Sequence, residues 1–484
     1  MTDPRAGRSR PPVGWPTILL YGFGACSTGV KMRALSSFLL IFYNQSLGLP
    51  PTTVALAITL ITVFDAIVDP LTGFVSDRLR SRWGRRHPFM YAAAIPVAGA
   101  FYFLWNPPLG ADQRALFTHL LACLMVLRLF DTFFELPSLA LGPELVQDYD
   151  RRTVLVSSRI FFRTIAGVLF VIAAYQIFLP DSVGGVANRD GYRMFALAGS
   201  AVMFVSIATS ALATHRFIPW LEKPAPKPLS GFAFFGDVLR LLRNRPAAIM
   251  LLVGMLVAVV NGARSGLEIY FGLYFWGFDQ AQLAAMTSIG AGGTLLGAIV
   301  APRLSVGVGK KVGVLVGFGM ATAVNLLPIA ARLAGWIPEE GGDAAFWIVS
   351  AQSFLQGVLY MTTAVLMNSM LADVVEDVEV DSGRRSEGLL FSADAFFSKA
   401  VSGVGVLTAG AVLALVSFPE NARLQGVSSD VVWNLGAIFI PLVLAFSVAV
   451  LLLLAAFPID RRRHEANLAR LGARRADPAA VTES

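Results

Sequence analysis

Apolar runs of about 20 residues, each long enough to cross a hydrocarbon core of ~30 Å as a helix, recur throughout this chain. Charged residues make up 15% of its 484 residues, compared with roughly 25% in ordinary soluble proteins. By the usual hydropathy criterion the pattern predicts an all-α polytopic membrane protein with about twelve transmembrane helices. The predicted spans, numbered I to XII, are residues 17–43, 52–76, 88–106, 114–142, 153–179, 193–216, 246–277, 280–302, 311–333, 344–372, 388–417 and 430–457.

The longest polar interruption divides the spans into two sets of six. It is rich in proline and lysine, and it separates two stretches that resemble each other weakly. Gly84-Arg85-Arg86 follows the second span of the first set, and Gly309-Lys310-Lys311 follows the second span of the other set. Two such repeats around a central site are typical of the major facilitator fold. The predicted divisions are a tail at 1–16, a half at 17–216, a loop at 217–245, a half at 246–457 and a tail at 458–484.

The net charge of +7 reflects membrane topology. Basic residues concentrate in alternate loops, such as the arginine-rich loop between spans II and III, whereas the intervening loops hold few. Because loops rich in Lys and Arg mark the cytoplasmic side, we predict a multi-pass protein of the cytoplasmic (inner) membrane with both termini in the cytoplasm. This charge distribution predicts a protein that lies in the lipid bilayer and binds no nucleic acid. We expect it to function as a monomer.

Asp65 and Asp69 place two carboxylates inside span II, one helical turn apart and on the same side of the helix. A charge within the bilayer costs at least ~2.5–3.5 kcal/mol on insertion scales, so packing alone explains them poorly. Na⁺ would relieve their repulsion through oxygen ligands, which makes both aspartates candidate metal ligands, and H⁺ would relieve it by neutralising one acid. We therefore predict a site for a coupling cation, Na⁺ or H⁺, with no other cofactor. The alternative, in which these acids only pair with Arg128 or Lys399 to hold helices together, stays open.

Other polar side chains within the spans have two interpretations each. Those that we consider for a substrate are Lys31, Arg33, Gln356 and Tyr360. The two cations of span I either meet an anionic substrate or balance the acids of spans II and IV. The two residues of span X either line a cavity or form hydrogen bonds across helices. Arg264 and Glu268, one turn apart in span VII, are expected to satisfy each other.

Motifs of common enzyme classes are missing from the sequence. The four histidines lack zinc-site spacing, and neither a Gly-x-Ser-x-Gly elbow nor a phosphate-binding loop is present. The sequence therefore predicts a protein that is not an enzyme and that does not pump with ATP.

The stretch from Asp65 to Pro88 closely resembles the melibiose permease-like family of glycoside-pentoside-hexuronide:cation symporters, within the major facilitator superfamily. Segments 21–24, 142–153 and 372–388 agree with that family too. Residues 79–83 are inserted into the superfamily's loop signature. The matching loop residues, which the resemblance implies are involved in gating on the cytoplasmic side, are Gly73, Asp77, Arg78, Gly84, Arg85 and Arg86.

The resemblance also implies site residues. The paired aspartates of span II would bind the coupling cation, with Thr132 as a further ligand. Glu135 takes the place of a sugar-binding aspartate, and Arg159 matches an arginine that helps to hold the sugar. Lys399 matches the family's lysine near the cation and substrate sites.

Two departures from the family pattern concern the substrate. The aspartate that grips galactosides is replaced by Gly29, and the sugar-stacking tryptophan by Leu139. A galactoside is therefore not expected; with the cations of span I, an anionic sugar fits, as does an amphiphile, since related lysolipid symporters share the span II aspartate and the span XI lysine.

The sequence thus predicts a symporter that imports a small solute, either a glycoside, a sugar or a sugar acid, by alternating access down a Na⁺ or H⁺ gradient. Alternatives are a lysolipid or sterol-like substrate and, in another class, a non-transporting sensor. The sensor would have no need of the intact Asp65, Asp69 and Lys399.

Overall fold

The predicted all-α polytopic architecture is confirmed. The computed structural model describes residues 13–79, 81–146, 149–221, 236, 238–307, 309–337, 342–382, 387–419, 422, 426–459, 463, 466–467 and 470. Within these residues, twelve helices are long and apolar enough to cross a membrane. Numbered α1 to α12 and corresponding to spans I to XII, they are Trp15–Ser46, Pro51–Arg78, His87–Leu104, Gln113–Leu145, Tyr149–Ala173, Arg189–His215, Arg245–Tyr270, Gln280–Gly307, Lys310–Leu333, Asp343–Ser382, Glu387–Leu415 and Ser429–Ala455.

Several of these helices begin at residues whose side chains satisfy the first free backbone amides. Asp112 accepts a hydrogen bond from the Ala115 amide before α4, and Asn244 accepts one from the Ala247 amide before α7. Such caps replace the intrahelical partners that the first turn lacks. About half of the predicted loop between the six-helix sets, and most of each predicted tail, lie outside the described residues, so the domain boundaries stay predictions.

The first six helices (the N-terminal half) and the last six (the C-terminal half) meet closely at the end where α1, α7 and α11 finish. There the Tyr270 hydroxyl donates to Asn44 Oδ1 (2.9 Å), and Gln45 Nε2 donates to the Pro419 carbonyl (3.0 Å). One apolar cluster runs through both halves at this end and includes Phe42. The molecule is therefore closed at this end.

At the opposite end the C-terminal half has an apolar cluster of its own, formed by residues such as Val374, Leu390 and Leu454. The described ion pairs at this end, such as Arg86 with Glu144 and Arg463 with Asp377, each join residues of one half.

The weak sequence repeat corresponds to similar ion pairs in the two halves. Arg86, in the loop after α2, pairs with Glu144 at the end of α4 (2.8 Å). Lys310, which follows α8, pairs with Asp373 in the last part of α10 (2.6 Å). In each half, the basic loop after the second helix thus binds a carboxylate near the end of the fourth, which supports a common origin of the two halves.

A glycine allows a close contact between the halves where α11 crosses α2. A Cβ on Gly403 would lie 2.1 Å from Thr62 Oγ1, so only glycine allows the helices this close. The Thr59 hydroxyl donates to the Gly403 carbonyl across the same contact (2.8 Å). One turn earlier on α11, Lys399 is thereby brought against the aspartates of α2.

Candidate cation and substrate site

Asp69 lies where α2, α4 and α11 meet. Its Oδ2 pairs with Lys399 Nζ at 2.5 Å, and its Oδ1 accepts a hydrogen bond from the Thr132 hydroxyl at 2.9 Å. The three residues predicted around a cation site from different helices are therefore in direct contact. Thr132 holds one carboxylate oxygen, and the ammonium of Lys399 takes the position beside the other.

Asp65, one turn earlier on α2, is almost fully buried, with 1% of its surface exposed. Its Oδ2 lies 3.1 Å from Arg128 Nη1 and 3.7 Å from Lys399 Nζ. Neither carboxylate oxygen accepts a hydrogen bond from any residue in the described part of the chain. A buried carboxylate held by charge alone is costly, because carboxylates inside proteins ordinarily accept several hydrogen bonds.

The charges of this cluster balance. Two carboxylates face two cations, and the side chain of Lys399 is 40% exposed whereas that of Asp65 is 2% exposed. Lys399 is thus the most exposed member of the cluster. If its ammonium left, two close carboxylates would share the single charge of Arg128, and Na⁺ or H⁺ could restore neutrality.

A second ion-pair group joins α1 to α4. Lys31 Nζ contacts Asp131 Oδ2 directly and lies 3.5 Å from Glu135 Oε2. Lys31 and Asp131 are both buried. The structure therefore places Lys31 in the charge-balancing arrangement, although Glu135 beside it also lines a cavity.

This cavity, in the N-terminal half, has a volume of about 300 Å³ and lies between α1, α4 and α5. Arg159 enters it from α5, donating to Ser138 Oγ (2.5 Å) with its guanidinium 5.1 Å from the centre of the Tyr21 ring. The Tyr21 hydroxyl donates to the Ser138 carbonyl (2.8 Å). Ser138 and Tyr21 thus orient Arg159, a role that sequence reasoning missed because it depends on how three helices are rotated.

A second arginine, Arg163, lines the same cavity. Its side chain is exposed, and it forms no ion pair with any described residue. With Glu135 beside Lys31, the two arginines give this cavity an excess of positive charge. Such a surface suits an anionic group, because arginine binds carboxylates in a two-pronged geometry.

The two departures from the family pattern have different surroundings. Leu139 lines the N-terminal cavity. Gly29 instead faces the backbone of α5, where an added Cβ would lie 2.1 Å from the Arg163 carbonyl oxygen. An aspartate at this position would force α1 and α5 apart. The absence of the family's aspartate at position 29 therefore accompanies a closer contact between these helices.

A cavity of about 250 Å³ lies among α7, α9, α10, α11 and α12, and both Gln356 and Tyr360 line it. With the Gln356 amide oriented to satisfy both of its groups, its oxygen accepts from Arg264 Nη1 (3.0 Å) and its nitrogen donates to the Ala321 carbonyl (2.9 Å). Both interpretations of the polar residues of span X therefore apply to Gln356, which lines the cavity and also forms hydrogen bonds to neighbouring helices.

The expected pairing of Arg264 with Glu268 is wrong: both residues are described, and no ion pair joins them. Their helical spacing allowed the pair, but Arg264 turns toward Gln356 on α10 instead. Arg33 packs near Gly167 of α5 and lines neither of the two cavities, so its proposed contact with substrate stays a prediction.

The predicted gating loop is described in part. Gly84 adopts a φ of +73°, in the left-handed region that favours glycine. Arg85 Nη2 and Arg86 Nη2 lie 2.5 and 2.8 Å from Glu144 Oε1. Gly73 lies within α2, and the side chains of Asp77 and Arg78 lie outside the described part. The loop thus ties the end of α2 to the end of α4.

Comparisons with known proteins agree with this architecture. A family model described as MFS/sugar transport protein matches residues 20–461. The putative glycoside/cation symporter YagG of Escherichia coli is 26% identical over 454 residues, covering 92% of each chain. The sphingosine-1-phosphate transporter MFSD2B of Mus musculus is 24% identical over 410 residues, covering 81% of this chain and 78% of its own. A solved structure of the nucleoside transporter NupG superposes with a TM-score of 0.65 at 13% identity, covering 90% of this chain and 99% of its own, and so shares the fold.

Proposed function

We propose, from the premise that this chain belongs to the family of MFS/sugar transport proteins, that it is a cation-coupled symporter of a small solute. The observation that carries the proposal is the cluster of Asp65, Asp69 and Lys399 at the contact between the two halves. Buried carboxylates within a membrane cost considerable free energy. That cost has a function if the binding of a cation to these carboxylates controls how the two halves meet.

Lys399 gives this control a physical form, because it is a cation tethered to the C-terminal half that neutralises acids of the N-terminal half. Na⁺ or H⁺ at Asp69 would compete with the Lys399 ammonium for the same carboxylate. When the ion is bound, the ion pair between the halves is weakened and the equilibrium between the two orientations shifts. The proposal needs no other cofactor.

The orientation follows from the arginine-rich loop. If this loop faces the cytoplasm, the closed end of the molecule faces outward. We therefore propose that the protein lies in the cytoplasmic membrane with both termini inside the cell, in a state that opens to the cytoplasm and would release solute and ion there.

The N-terminal cavity supports a sugar acid as the substrate. Arg159 and Arg163 together give it the positive charge that a carboxylate requires, and Glu135 offers an acceptor for hydroxyl groups. The similarity to YagG, whose name describes a glycoside/cation symporter, supports a substrate of this class. We therefore favour a uronic acid or its glycoside over a neutral galactoside.

An amphiphilic substrate is a second candidate. The similarity to MFSD2B, named as a sphingosine-1-phosphate transporter, favours it. The C-terminal cavity also has an apolar wall that includes Val257, Phe318 and Met367. An anionic headgroup at Arg159 and Arg163 with an acyl chain along this wall would fit the same surfaces.

Uptake by purified protein in liposomes tests the proposal. Radiolabelled glucuronate, methyl glucoside and lysophosphatidylcholine would each be offered under an inward Na⁺ gradient, an inward H⁺ gradient, both gradients or neither. We expect one of the two gradients to drive accumulation of glucuronate above equilibrium. If binding is measurable but neither gradient drives accumulation of any bound compound, the protein is not a symporter.

A further inference from the structure

We infer that the cavity of the C-terminal half binds the hydroxyl groups of the substrate, with the Asp394 carboxylate as the principal acceptor. The inference rests on the proposed function, because it concerns the polar end of the same sugar-like substrate. It assigns the two ends of that substrate to different halves, the anionic group to α5 and the hydroxyl groups to α11.

Asp394 lies on α11 and lines this cavity. It forms no hydrogen bond and no ion pair within the described residues, although its side chain is partly buried. The carboxylate rests against α7 at Gly254, where a Cβ would lie 2.6 Å from Asp394 Oδ1 and 3.3 Å from Ser398 Oγ. The absence of a side chain at Gly254 therefore makes the room that the carboxylate occupies.

Three further polar atoms of the cavity residues lack partners. Asn325 on α9, Thr363 on α10 and Ser447 on α12 have 9%, 5% and 1% of their surfaces exposed. Asn325 Oδ1, Thr363 Oγ1 and Ser447 Oγ make no hydrogen bond with any described residue. Leaving a buried polar group unpaired costs about 1–3 kcal/mol. These three oxygens are enclosed by protein atoms, so the partly buried carboxylate of Asp394 is the acceptor that a ligand in the cavity would meet first.

The charges of the cavity favour hydroxyl groups over a cation. Arg264 shares the cavity with Asp394 and, like it, forms no ion pair in the described part of the chain. A cationic ligand would be repelled by Arg264, whereas a sugar can donate two adjacent hydroxyls to the carboxylate and accept from arginine and amide groups. The side chain of Tyr360, 45% exposed, adds an aromatic face for the apolar side of the ring.

The test measures binding to the full-length protein in lipid nanodiscs by isothermal titration, with glucuronate, galacturonate and their single-deoxy analogues as probes. The variants are Asp394→Asn and Gly254→Ala, the second of which keeps the charge but fills the space beside it. Glu268→Gln is the matched control, because Glu268 is another carboxylate of this half that lines neither cavity. Thermal unfolding of each variant checks that it is folded.

We expect Asp394→Asn and Gly254→Ala to weaken binding about tenfold or more, with the control unchanged, since a site built to bind a hydroxyl discriminates strongly. Removing the hydroxyls that Asp394 binds should weaken binding to the wild type but cause no further loss in Asp394→Asn. Unchanged affinity in both variants, or an equal loss for every deoxy analogue in wild type and Asp394→Asn, would overturn the inference.

The outcomes separate this inference from the proposed function. If the wild type binds a uronate and both Asp394→Asn and Gly254→Ala bind it equally well, only this inference fails. If the variants lose binding as expected but no gradient drives uptake, the symporter proposal fails and the site stands. If the wild type binds none of the sugars, the cavity assignment and the sugar-acid substrate are both wrong.

Discussion

Several membrane-embedded charges differ between the two halves in whether they have an ion-pair partner. In the N-terminal half the buried acids Asp65 and Asp131 have cationic partners from neighbouring helices, Arg128 and Lys31. In the C-terminal half, the described part of the chain contains no ion pair for Asp394, Arg264 or Glu268.

Lys399 is the exception, because it belongs to the C-terminal half but pairs with the acids of the other. The comparison therefore suggests a division of work. In the proposed mechanism, the N-terminal half holds a nearly neutral network that ion binding would disturb, and the C-terminal half contributes the exposed cation Lys399 and the proposed cavity for the solute.

The largest effect on this division is expected for Lys399→Gln. Without the ammonium, Asp69 keeps only the Thr132 hydroxyl as a partner, so its affinity for Na⁺ or H⁺ should rise about tenfold or more. Gradient-driven uptake should fall to the level of passive exchange, because the ion no longer displaces anything. Titration of Na⁺ or H⁺ binding, with Lys311→Gln as a control lysine outside the cluster, measures the change. Unaltered ion affinity would show that Lys399 does not compete with the ion.

The next effect concerns the stability of the buried network. Lys31→Met alone should lower the free energy of unfolding by about 3–5 kcal/mol, since it leaves the buried Asp131 carboxylate without its partner. Asp131→Leu alone should cost less, because Lys31 keeps Glu135 at 3.5 Å. The double variant should recover most of this loss. Denaturant unfolding of the wild type, both single variants and the double variant in mixed micelles measures this double-mutant cycle. If the two single losses simply add in the double variant, Lys31 and Asp131 do not act as a pair.

A smaller effect is expected where Ser138 orients Arg159. Ser138→Ala removes a hydrogen bond to a charged group, worth about 1 kcal/mol or somewhat more, so substrate affinity should fall about fivefold to tenfold. Ser206→Ala is the matched control, because Ser206 is equally buried and bonds within its own helix, to the Met203 carbonyl. Equal affinities of the Ser138 variant and the wild type would remove Ser138 from the site.

A last comparison of stability concerns the ion pairs that repeat between the halves. The two acids are similarly buried, with the Glu144 side chain 9% and the Asp373 side chain 11% exposed, but their partners differ, since Arg86 is 8% and Lys310 30% exposed. Glu144→Gln should therefore lower the free energy of unfolding by about 2 kcal/mol, and Asp373→Asn by about 1 kcal/mol or less. The same unfolding assay ranks the two variants. A larger loss of unfolding free energy in Asp373→Asn than in Glu144→Gln would contradict this order.

The fold was predictable because hydrophobic length alone defines a membrane span. Most predicted ends lie within a few residues of the observed ones, although α10 continues to Ser382 where the predicted span ends at 372. The contact of Asp69 with Thr132 and Lys399 was predicted from the family resemblance. The structure brings these three residues together, while their role in ion binding stays a proposal.

Other features depended on helix rotation and close approach, which residue spacing does not determine. Arg264 and Glu268 have the spacing of a pair but do not form one, and Gly29 faces a neighbouring backbone where the resemblance pointed to a lost binding group. Ser138 became visible as a partner of Arg159 only once α4 and α5 were placed together.

The central claim is that ion occupancy at Asp69 drives the transport cycle, and Asp69→Asn tests it most directly. Uptake driven by a gradient and exchange of labelled for unlabelled solute would be measured in the same liposomes. The account predicts that accumulation is lost while exchange stays within about threefold of wild type, because the solute site is separate from the ion site. Accumulation equal to that of the wild type would contradict it.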